Sequence, residues 1–261
     1  MKVVILAGGY GTRISELSCR MPKPLVNIGE MPIIWHIMKI YSTYGFKEFV
    51  ICAGYKQHLL KEFFYDYFKH NADVTFDNLQ CQNQLTLHNN KAEEWKVTLV
   101  DTGLETMTGG RVKRIKEYLD QEPFLLTYGD GLADIDIQAL VDYHKQQGKM
   151  VTLSAYGIKQ RFGVLELADN GCVKQFREKQ EQDRQLINIG FMVCEPQFLD
   201  LIEDDNTVLE KEPLEQAVQL GQLMAYVHKG FWKCMDSLKE KEELDKLWNE
   251  GRAPWKVQLM K

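Results

Sequence analysis

Short runs of apolar residues alternate with longer amphipathic segments along the first half of the chain. Three runs are apolar at successive positions and lead into a glycine: 3–7, 49–53 and 124–128. Strands covered by helices on both faces show this pattern. Four segments between or after them carry apolar residues at helical spacing: 33–44, 58–70, 111–119 and 136–147. Asp136 is a plausible N-cap of the last of these helices, and Gly148 is a plausible stop.

The second half of the chain shows a different pattern, which begins with a hairpin signal. Two β-rich segments, 162–167 and 172–176, flank Asn170-Gly171, a dipeptide that tight hairpin turns favour. The other predicted elements are two strands and two amphipathic helices: 187–193, 223–228, 214–220 and 238–248. We expect a small hairpin and helix extension to follow the strand–helix layers.

Alternation of strands and helices is typical of an α/β fold, in which a mostly parallel sheet lies between two helical layers. The chain has 261 residues, and α/β units often reach about 250 residues as one domain. No linker, repeat or low-complexity segment interrupts it. The sequence therefore predicts one three-layer domain over residues 1–261, with a mixed, mostly parallel central sheet.

Composition and charge exclude several classes of partner. The net charge of −5 argues against nucleic acid polymers, because contacts to many phosphates need a basic surface. No apolar run approaches the roughly 18 residues of a membrane span, and no secretory leader is recognisable. The six cysteines form no Cys-x-x-Cys pair, so a reducing compartment is expected. We expect a cytoplasmic protein that binds neither membranes nor nucleic acid polymers.

The first predicted strand leads into a glycine-rich segment, Leu6-Ala7-Gly8-Gly9-Tyr10-Gly11-Thr12-Arg13. Three glycines within four positions leave backbone N–H groups open to a phosphate or a base, although a tight turn alone could also require them. The dinucleotide-binding pattern needs a glycine where the chain has Ile14. The Walker A pattern needs a glycine five residues after Gly8 or Gly9, and neither position has one. Both of these common phosphate-binding motifs are therefore disfavoured.

Two basic residues follow this loop at short range. Lys23 lies between Pro22 and Pro24, and proline restricts its own φ as well as the residue before it, so we expect Lys23 on a stiff, extended backbone. Isolated surface charges are common. After a glycine loop, however, the Arg13 guanidinium and the Lys23 ammonium are well suited to offset the charge of a polyphosphate during phosphoryl transfer.

Acidic residues suggest a divalent cation at the end of a strand. Asp130 lies between Gly129 and Gly131, directly after the strand at 124–128, where open α/β sheets bind ligands. One or two carboxylates together with substrate oxygens suit Mg²⁺. Asp236 is a candidate for the second carboxylate, although by position alone it fits the N-cap region of the helix at 238–248 better.

Further polar positions are less specific. Thr108-Gly109-Gly110-Arg111 is a second glycine-rich turn that opens a helix, and it could contact an anion or a base. Lys179 follows a predicted strand and Asn188 lies within the next one, so both could face a ligand or lie on the surface. The six histidines show no zinc-ligand spacing and no nucleophilic partner, which disfavours zinc chemistry and a catalytic triad.

Together these segments resemble the sugar-phosphate nucleotidylyltransferases, whose signature is Leu-Ala-Gly-Gly-x-Gly-Thr-Arg followed by Lys-Pro. Residues 6–13 and 23–24 match this signature. Within that superfamily the chain is most similar to the glucose-1-phosphate cytidylyltransferases, through five separated segments that agree in order: 97–103, 107–111, 127–131, 230–232 and 235–236. The resemblance runs from residue 1 to about 256. It implies a Rossmann-like nucleotidyltransferase fold, a hairpin and helix extension for the acceptor, and a homo-oligomer.

The resemblance also implies a reaction and a set of site residues. The reaction is Mg²⁺-dependent transfer of CMP from CTP to a phosphorylated small molecule, namely a sugar 1-phosphate, in polysaccharide biosynthesis. Arg13, Lys23, Asp130 and Lys179 would be the catalytic residues, and Asp130 and Asp236 the metal ligands. Lys179 and Asn188 would bind the acceptor. The nucleotide would contact residues of the glycine loop and three later segments: Leu6, Ala7, Gly8, Gly9, Tyr10, Gly11, Thr12, Arg13, Lys23, Thr106, Arg111 and Gly129.

Two departures from the family pattern fall on the acceptor side. Gln180 stands where the family has proline, and Ile189 stands where it has glycine, which would bring a branched side chain into a segment that the family keeps open. Glucose 1-phosphate is the expected acceptor, and another sugar phosphate or a non-sugar phosphorylated metabolite is the alternative. A non-catalytic nucleotide-binding protein and an NAD-dependent dehydrogenase are weaker alternatives.

Overall fold

The computed structural model of the chain describes residues 1–14, 19–77, 79, 84–159, 164–167, 172–177 and 184–258. The strands are β1 (Val3–Leu6), β2 (Asn27–Ile28), β3 (Met31–Pro32), β4 (Glu48–Ala53), β5 (Asp73–Asp77), β6 (Gln84–His88), β7 (Lys96–Asp101), β8 (Phe124–Tyr128), β9 (Gly131–Ala133), β10 (Val151–Lys159), β11 (Val164–Leu167), β12 (Val173–Arg177), β13 (Arg184–Cys194), β14 (Leu223–His228) and β15 (Trp232–Cys234). The helices are α1 (Ile33–Thr43), α2 (Gln57–His70), α3 (Thr108–Arg114), α4 (Ile137–Gln147), α5 (Glu212–Gln219), α6 (Leu238–Asn249) and α7 (Pro254–Gln258). Within these ranges, no helix combines the length and the apolar content that crossing a membrane requires.

Seven strands form the central sheet, in the order β14-β10-β13-β8-β1-β4-β7. Pairing is parallel among β8, β1, β4 and β7 and between β10 and β14. Only β13 is antiparallel to both of its neighbours in this sheet, β8 and β10. The predicted mixed, mostly parallel sheet is confirmed, and β13 is the strand that makes it mixed.

Alternate side chains of β1 enter two hydrophobic cores, one on each face of the sheet. Val3 and Ile5 belong to a core that also contains buried residues of α1, α2, α4, α6 and α7. Val4 and Leu6 belong to a second core, which is completed by α3, α5 and the 3₁₀ turn Pro196–Leu201. The strand is thus apolar at every position because helices cover both of its faces, and the predicted three-layer arrangement is confirmed.

The ends of the predicted helices agree best where a cap is encoded in the sequence. Asp136 accepts a hydrogen bond from the Ala139 amide at 2.9 Å, and Gly148 ends α4 in the left-handed conformation. The predicted helix over 111–119 is wrong at both ends. The observed helix, α3, begins at Thr108 and ends at Arg114. A 3₁₀ turn, Lys116–Tyr118, replaces the last turns of the predicted helix.

Four of the longer strands, β5, β6, β7 and β10, do not follow from the pattern of hydrophobic positions. The residues of β5 and β6 are almost all exposed, so burial does not impose an apolar pattern on this hairpin. Strand β7 lies at the edge of the sheet, where its side chains are at most half-buried. In β10 the buried hydroxyls of Thr152 and Ser154 interrupt the apolar run. These strands are recognisable only once their partners are known.

The two strands of the hairpin predicted in the second half of the chain are present. β11 pairs antiparallel with β12, so that Leu165 lies opposite Phe176. Its turn, including Asn170 and Gly171, lies outside the described residues, as do Phe162 and Gly163 at its predicted start. The long β13 that follows places Asn188 on the central sheet, opposite Ala155 of β10.

His36 is buried in an aromatic cluster that attaches the C-terminal helices to α1. Its ring lies 4.5 Å from the ring of Trp248 and 6.4 Å from that of Trp255, measured between centroids. Nε2 donates a hydrogen bond to the carbonyl of Ile28 at 2.9 Å. Burial lowers the pKa of His36 from 6.5 to about 4, although backbone hydrogen bonds oppose this shift. The imidazole is therefore neutral in the folded protein at pH 7.

This low pKa predicts a stability that depends on pH. Because His36 binds a proton more readily in the unfolded chain, the free energy of unfolding should fall as pH drops from 6.5 towards 4 and should be insensitive to His36 above pH 7. The loss between pH 7 and pH 5 is about 2 kcal/mol. Urea unfolding at both pH values should show that His36→Gln removes this part of the loss. His58→Gln, a change at an exposed histidine of α2, should retain it. An equal loss in wild type and His36→Gln would contradict the assignment.

Candidate active site

A cleft of about 480 Å³ lies at the carboxyl ends of β1 and β8, which are neighbours in the sheet. Ligands of open α/β sheets bind at this edge, because the loops that leave the parallel strands open there. The lining residues come from the glycine loop, the 3₁₀ turn Lys23–Leu25, the segment before and within α3, the end of β8 and the segment after β15: Leu6, Ala7, Gly8, Gly9, Tyr10, Gly11, Thr12, Lys23, Pro24, Leu104, Glu105, Thr106, Met107, Thr108, Arg111, Tyr128, Gly129, Asp130 and Asp236. Most of the residues predicted to bind the nucleotide therefore share one cleft.

Lys23 and two carboxylates form the polar centre of the cleft. The Lys23 Nζ atom lies 2.6 Å from Asp130 Oδ2 and 2.7 Å from Asp236 Oδ1. Burial lowers the pKa of Lys23, but the charge of Asp130 and the hydrogen bonds to both carboxylates outweigh this effect and leave the pKa raised. The ammonium group is therefore fully charged at neutral pH, and it marks a point where the protein stabilises positive charge.

The backbone at Lys23 differs from its prediction. Pro22 is extended, with φ −66° and ψ 145°, but Lys23 begins a 3₁₀ turn, Lys23–Leu25, that closes through a hydrogen bond from Val26 N to Lys23 O. The expected extended backbone is wrong at this residue. The φ of Pro24 is compatible with a 3₁₀ turn, and the turn directs the lysine towards the carboxylates.

Asp130 and Asp236 approach each other because β9 pairs with β15. Gly131 lies opposite Cys234, and the Met235 amide donates to the Asp130 carbonyl at 2.9 Å. Ligand atoms of Asp130, Cys234 and Asp236 all lie within 4.8 Å of one another. Two carboxylates fit a hard cation such as Mg²⁺. Burial and then the charge of Asp130 raise the pKa of Cys234. Its sulfur is a soft ligand, which a hard cation of this kind does not favour.

The alternative role of Asp236 as a helix cap does not apply. Ser237 is the N-cap of α6, since its hydroxyl accepts from the Glu240 amide at 3.3 Å. Glu240 in turn accepts from the Asp236 amide at 2.8 Å. Only the backbone of Asp236 takes part in capping, and its side chain is turned towards Lys23.

Arg111 lies beneath the glycine loop. Its guanidinium donates to Thr102 Oγ1 at 2.8 Å, to the Gly103 carbonyl at 2.7 Å and to the Leu104 carbonyl at 3.1 Å. A Cβ atom on Gly8 would lie 2.2 Å from Arg111 Nη1, so a side chain there would displace the guanidinium from these acceptors. Burial lowers the pKa of Arg111. Arg111 therefore holds the loop before α3 against the glycine loop, in addition to lining the cleft.

The glycine-rich opening of α3 does not offer its amides to an anion. The amides of Gly109 and Gly110 donate to the Thr207 carbonyl at 3.0 and 3.3 Å, and the Met107 amide donates to the Asp205 carbonyl at 2.8 Å. A Cβ atom on Gly110 would lie 2.5 Å from the Asp205 Cα atom. These two glycine amides are therefore not available to an anion, because the glycines allow the loop around 205–207 to pack against the helix. Thr106 and Thr108 still face the cleft.

Tyr128 lines the cleft and Glu210 contacts two of its lining residues, Thr108 and Tyr128, but the sequence pattern marks neither Glu210 nor Tyr128 as a site residue. Glu210 accepts a hydrogen bond from the Thr108 hydroxyl at 2.7 Å and a short one from the Tyr128 hydroxyl. Burial, the charge of Glu210 and the hydrogen bond to it raise the pKa of Tyr128, so the phenol is neutral. Tyr128 stands next to Gly129 and Asp130, which is the one signal that could have indicated it.

Some predicted site residues lie outside what is described. Lys179 and Gln180 fall in the undescribed segment 178–183, and the side chain of Arg13 is also outside the described part of the structure. Asn188 is described: its Oδ1 accepts from the Gly190 amide at 2.9 Å, and Gly190 packs against the ring of Tyr128. Asn188 is therefore linked to the cleft through Gly190 and Tyr128, although it does not line the cavity.

Ile189 does not crowd the acceptor segment as expected. Its side chain is buried in the core with Tyr41 and Phe191, because successive side chains of a strand point to opposite faces. Gly190 has φ +82°, and a Cβ atom there would lie 2.2 Å from the Tyr128 ring. The glycine that the geometry needs is thus retained, and the departure at Ile189 affects the core.

Comparisons with known proteins agree with the geometry. The sequence profile of the nucleotidyl transferase family matches residues 2–236. A glucose-1-phosphate cytidylyltransferase of Salmonella typhi is 52% identical over 98% of this chain and 99% of its own length. A probable glucose-1-phosphate cytidylyltransferase of Bacillus subtilis is 44% identical over 98% of this chain and all of its own length. The crystal structure of HddC from Yersinia pseudotuberculosis, at 20% identity, shares the fold with a TM-score of 0.67 over 95% of this chain and 99% of that one.

Proposed function

The chain belongs to the nucleotidyl transferase family and, within it, to the glucose-1-phosphate cytidylyltransferases, and we propose that it transfers CMP from CTP to glucose 1-phosphate with the help of Mg²⁺. One observation carries this proposal: Lys23, Asp130 and Asp236 meet at one end of a cleft whose wall is the glycine loop. Cationic and metal-binding groups beside bare backbone amides are what phosphoryl transfer to an anionic acceptor needs.

The protein has to contribute little covalent chemistry to this reaction. An oxygen of the acceptor phosphate attacks the α-phosphorus of CTP, the bond from that phosphorus to the bridging oxygen breaks, and its electrons leave with pyrophosphate. The attacking phosphate is already ionised at neutral pH, so no general base is required. Arg13 and Lys23 offset the charge of the triphosphate, and the glycine loop presents backbone amides to it.

Asp130 and Asp236 are the residues that would hold Mg²⁺. The donor set suits the ion, and the Lys23 ammonium between the two carboxylates shows that they stabilise a cation at this point. When bound there, Mg²⁺ supplies charge neutralisation at the phosphate oxygens. Lys23, released from one or both carboxylates, is long enough to reach a neighbouring phosphate.

The acceptor is proposed to lie on the side of β13. Asn188, held through Tyr128, would bind hydroxyl groups of the sugar, and Lys179 would bind its phosphate. Because the Ile189 side chain is buried in the core, it gives no support for a different acceptor. We further propose that residues 1–261 form one catalytic domain and that the enzyme is a cytoplasmic homo-oligomer in polysaccharide biosynthesis.

Nucleotide and acceptor specificity provide the direct test. Pyrophosphate release should be measured with CTP, UTP, dTTP and ATP, each against glucose 1-phosphate and a panel of other sugar phosphates. We expect CTP with glucose 1-phosphate to give the highest kcat/KM, by at least about 100-fold over the other nucleotides, because a site that hydrogen-bonds one base leaves polar groups unpaired with another.

Glucose and glucose 6-phosphate serve as matched acceptor controls, since they lack the anomeric phosphate and should release no pyrophosphate. An absence of CTP-dependent release with every acceptor would overturn the proposed function. Efficient release with CTP and a different phosphorylated acceptor would keep the nucleotide assignment and replace the acceptor.

A further inference from the structure

Glu210 joins two parts of the cleft that are distant in sequence. Its carboxylate accepts from Thr108, which opens α3 on the nucleotide side, and from Tyr128, which ends β8 two residues before Asp130. These donors lie 102 and 82 positions away along the chain. Glu210 itself is exposed at the rim and precedes α5. Its contacts are therefore not a by-product of core packing.

Each hydrogen bond of this network has a defined direction. Thr108 Oγ1 accepts from the Leu209 amide at 2.9 Å, so its own proton is directed to Glu210. Asn188 Oδ1 accepts from the Gly190 amide, and Gly190 packs against the ring of Tyr128. The Tyr128 hydroxyl donates to Glu210. Glu210 is thus linked to Asn188 through the Tyr128 ring and Gly190.

The end of this network requires a carboxylate. An ionised carboxylate has only acceptor atoms, so its two oxygens can accept from both hydroxyls at once. A glutamine of the same shape would present an NH₂ group to one of them. Hydrogen bonds to a charged acceptor are also stronger than neutral ones. An acidic side chain at a cleft for anionic substrates is thus explained by the two hydroxyls that it holds.

We propose that Glu210 is a positioning residue of the transfer reaction, which through Tyr128 fixes Asn188 on the acceptor side and through Thr108 fixes the start of α3 on the nucleotide side. The inference rests on the proposed function, because it takes Asn188 to be an acceptor-binding residue. Glu210 does not contact the reacting atoms in this assignment. Its effect comes from alignment, and a misplacement of about 1 Å can slow an enzymatic step about 100-fold.

Substrate binding on the acceptor side of the cleft should depend on Glu210 more strongly than binding on the nucleotide side. The start of α3 is also held by the backbone hydrogen bonds from Met107, Gly109 and Gly110 to the 205–207 loop. Asn188 is linked to Tyr128 through Gly190, and the Tyr128 hydroxyl has Glu210 as its acceptor. We therefore expect Glu210→Gln to raise the KM for glucose 1-phosphate and to lower kcat, each about 10-fold, while the KM for CTP changes by less than about 3-fold.

A double-mutant cycle tests whether the residues act as one unit. Glu210→Gln, Tyr128→Phe and the double variant should be compared by initial rates at varied CTP and varied glucose 1-phosphate. The double variant should be no more impaired than the worse single variant. Glu212→Gln, which removes the same charge two residues away at an exposed position, is the control and should behave as wild type. Multiplying effects, equal changes in both KM values, or kinetics like those of the control would overturn the inference.

Hydrogen exchange gives a readout that does not need turnover. In Glu210→Gln and in Tyr128→Phe, exchange of the peptide covering residues 184–194 should become faster, because the Gly190 amide is protected by Asn188. Unchanged exchange in both variants would overturn the linkage even in an active enzyme. If the wild type showed no CTP-dependent turnover, the proposed function would fail, and the exchange result would still decide whether Glu210 holds Asn188.

Discussion

Asp130→Asn should lower kcat by about 1,000-fold with little change in folding stability. The asparagine keeps the shape of the side chain but loses the charge that pairs with Lys23 and is proposed to hold Mg²⁺. Metal charge stabilisation of several kcal/mol in the transition state corresponds to a loss of this size, at about 1.4 kcal/mol for each tenfold change in rate. Pyrophosphate release under saturating CTP, glucose 1-phosphate and Mg²⁺ is the measurement.

Stability should change little in Asp130→Asn, because Lys23 retains Asp236 as a charged partner at 2.7 Å. Thermal unfolding of the metal-free protein checks this point. Asp142→Asn makes the same chemical change at an exposed position of α4 and should keep wild-type turnover. Turnover of Asp130→Asn within about threefold of wild type would refute the role of Asp130 as a metal ligand. Loss of turnover together with unfolding would be resolved by Asp236→Asn, which should give the same kinetic defect.

Gly110→Ala should destabilise the protein by about 3 kcal/mol. In a helix without close neighbours this substitution stabilises by up to about 1 kcal/mol, so the expected sign is the opposite of helix propensity. Here the new Cβ atom would lie 2.5 Å from Asp205 Cα and 2.6 Å from the Asp205 carbonyl oxygen, and backbone atoms cannot turn aside as a flexible side chain can. Displacement of the loop also weakens the hydrogen bonds that Met107 and Gly109 donate to it.

Urea unfolding compared with Gly9→Ala measures this effect. A Cβ atom on Gly9 would meet nothing within 4 Å, so the free energy of unfolding of that variant should stay within about 0.5 kcal/mol of wild type. The two substitutions are chemically identical and differ in the space around the glycine. Equal stability of Gly110→Ala and Gly9→Ala would show that the loop around 205–207 can move away without cost. The Gly109-Gly110 pair would then not be required for packing against that loop.

The glycine-rich segments show where sequence reasoning succeeds and where it does not. Both segments, 8–11 and 108–111, suggest contact with an anion, because glycine exposes backbone amides. In the first segment all four residues line the cleft. In the second, the amides of Gly109 and Gly110 are occupied by the Thr207 carbonyl, since the glycines make room for another loop. Composition alone cannot separate these cases, because a glycine needed for close packing and one needed for a ligand have the same sequence pattern.

Glu210 illustrates the same limit for side chains. Nothing within a few residues of it indicates a ligand, and its partners are 82 and 102 positions away. Its neighbours along the chain instead suggest the polar start of a helix, which α5 indeed forms. Tyr128 is easier to suspect, since it precedes Gly129 and Asp130 at the end of a predicted strand. A contact across the cleft can be recognised only when the positions of both residues in the fold are known.

The sequence by itself determined the local elements and the type of chemistry. Apolar residues on both faces indicated central strands, Asp136 and Gly148 set the ends of α4, and the loop at 6–13 with Lys23 indicated a nucleotide site, because these features depend on neighbours within a few residues. Only the tertiary structure decided which residues meet. Lys23 contacts Asp130, which lies 107 positions away along the chain, and Asp236, which lies 213 positions away. These residues meet because β8 pairs with β1 and β15 pairs with β9. Strand order and register are settled by packing of the whole domain, so no short segment encodes them.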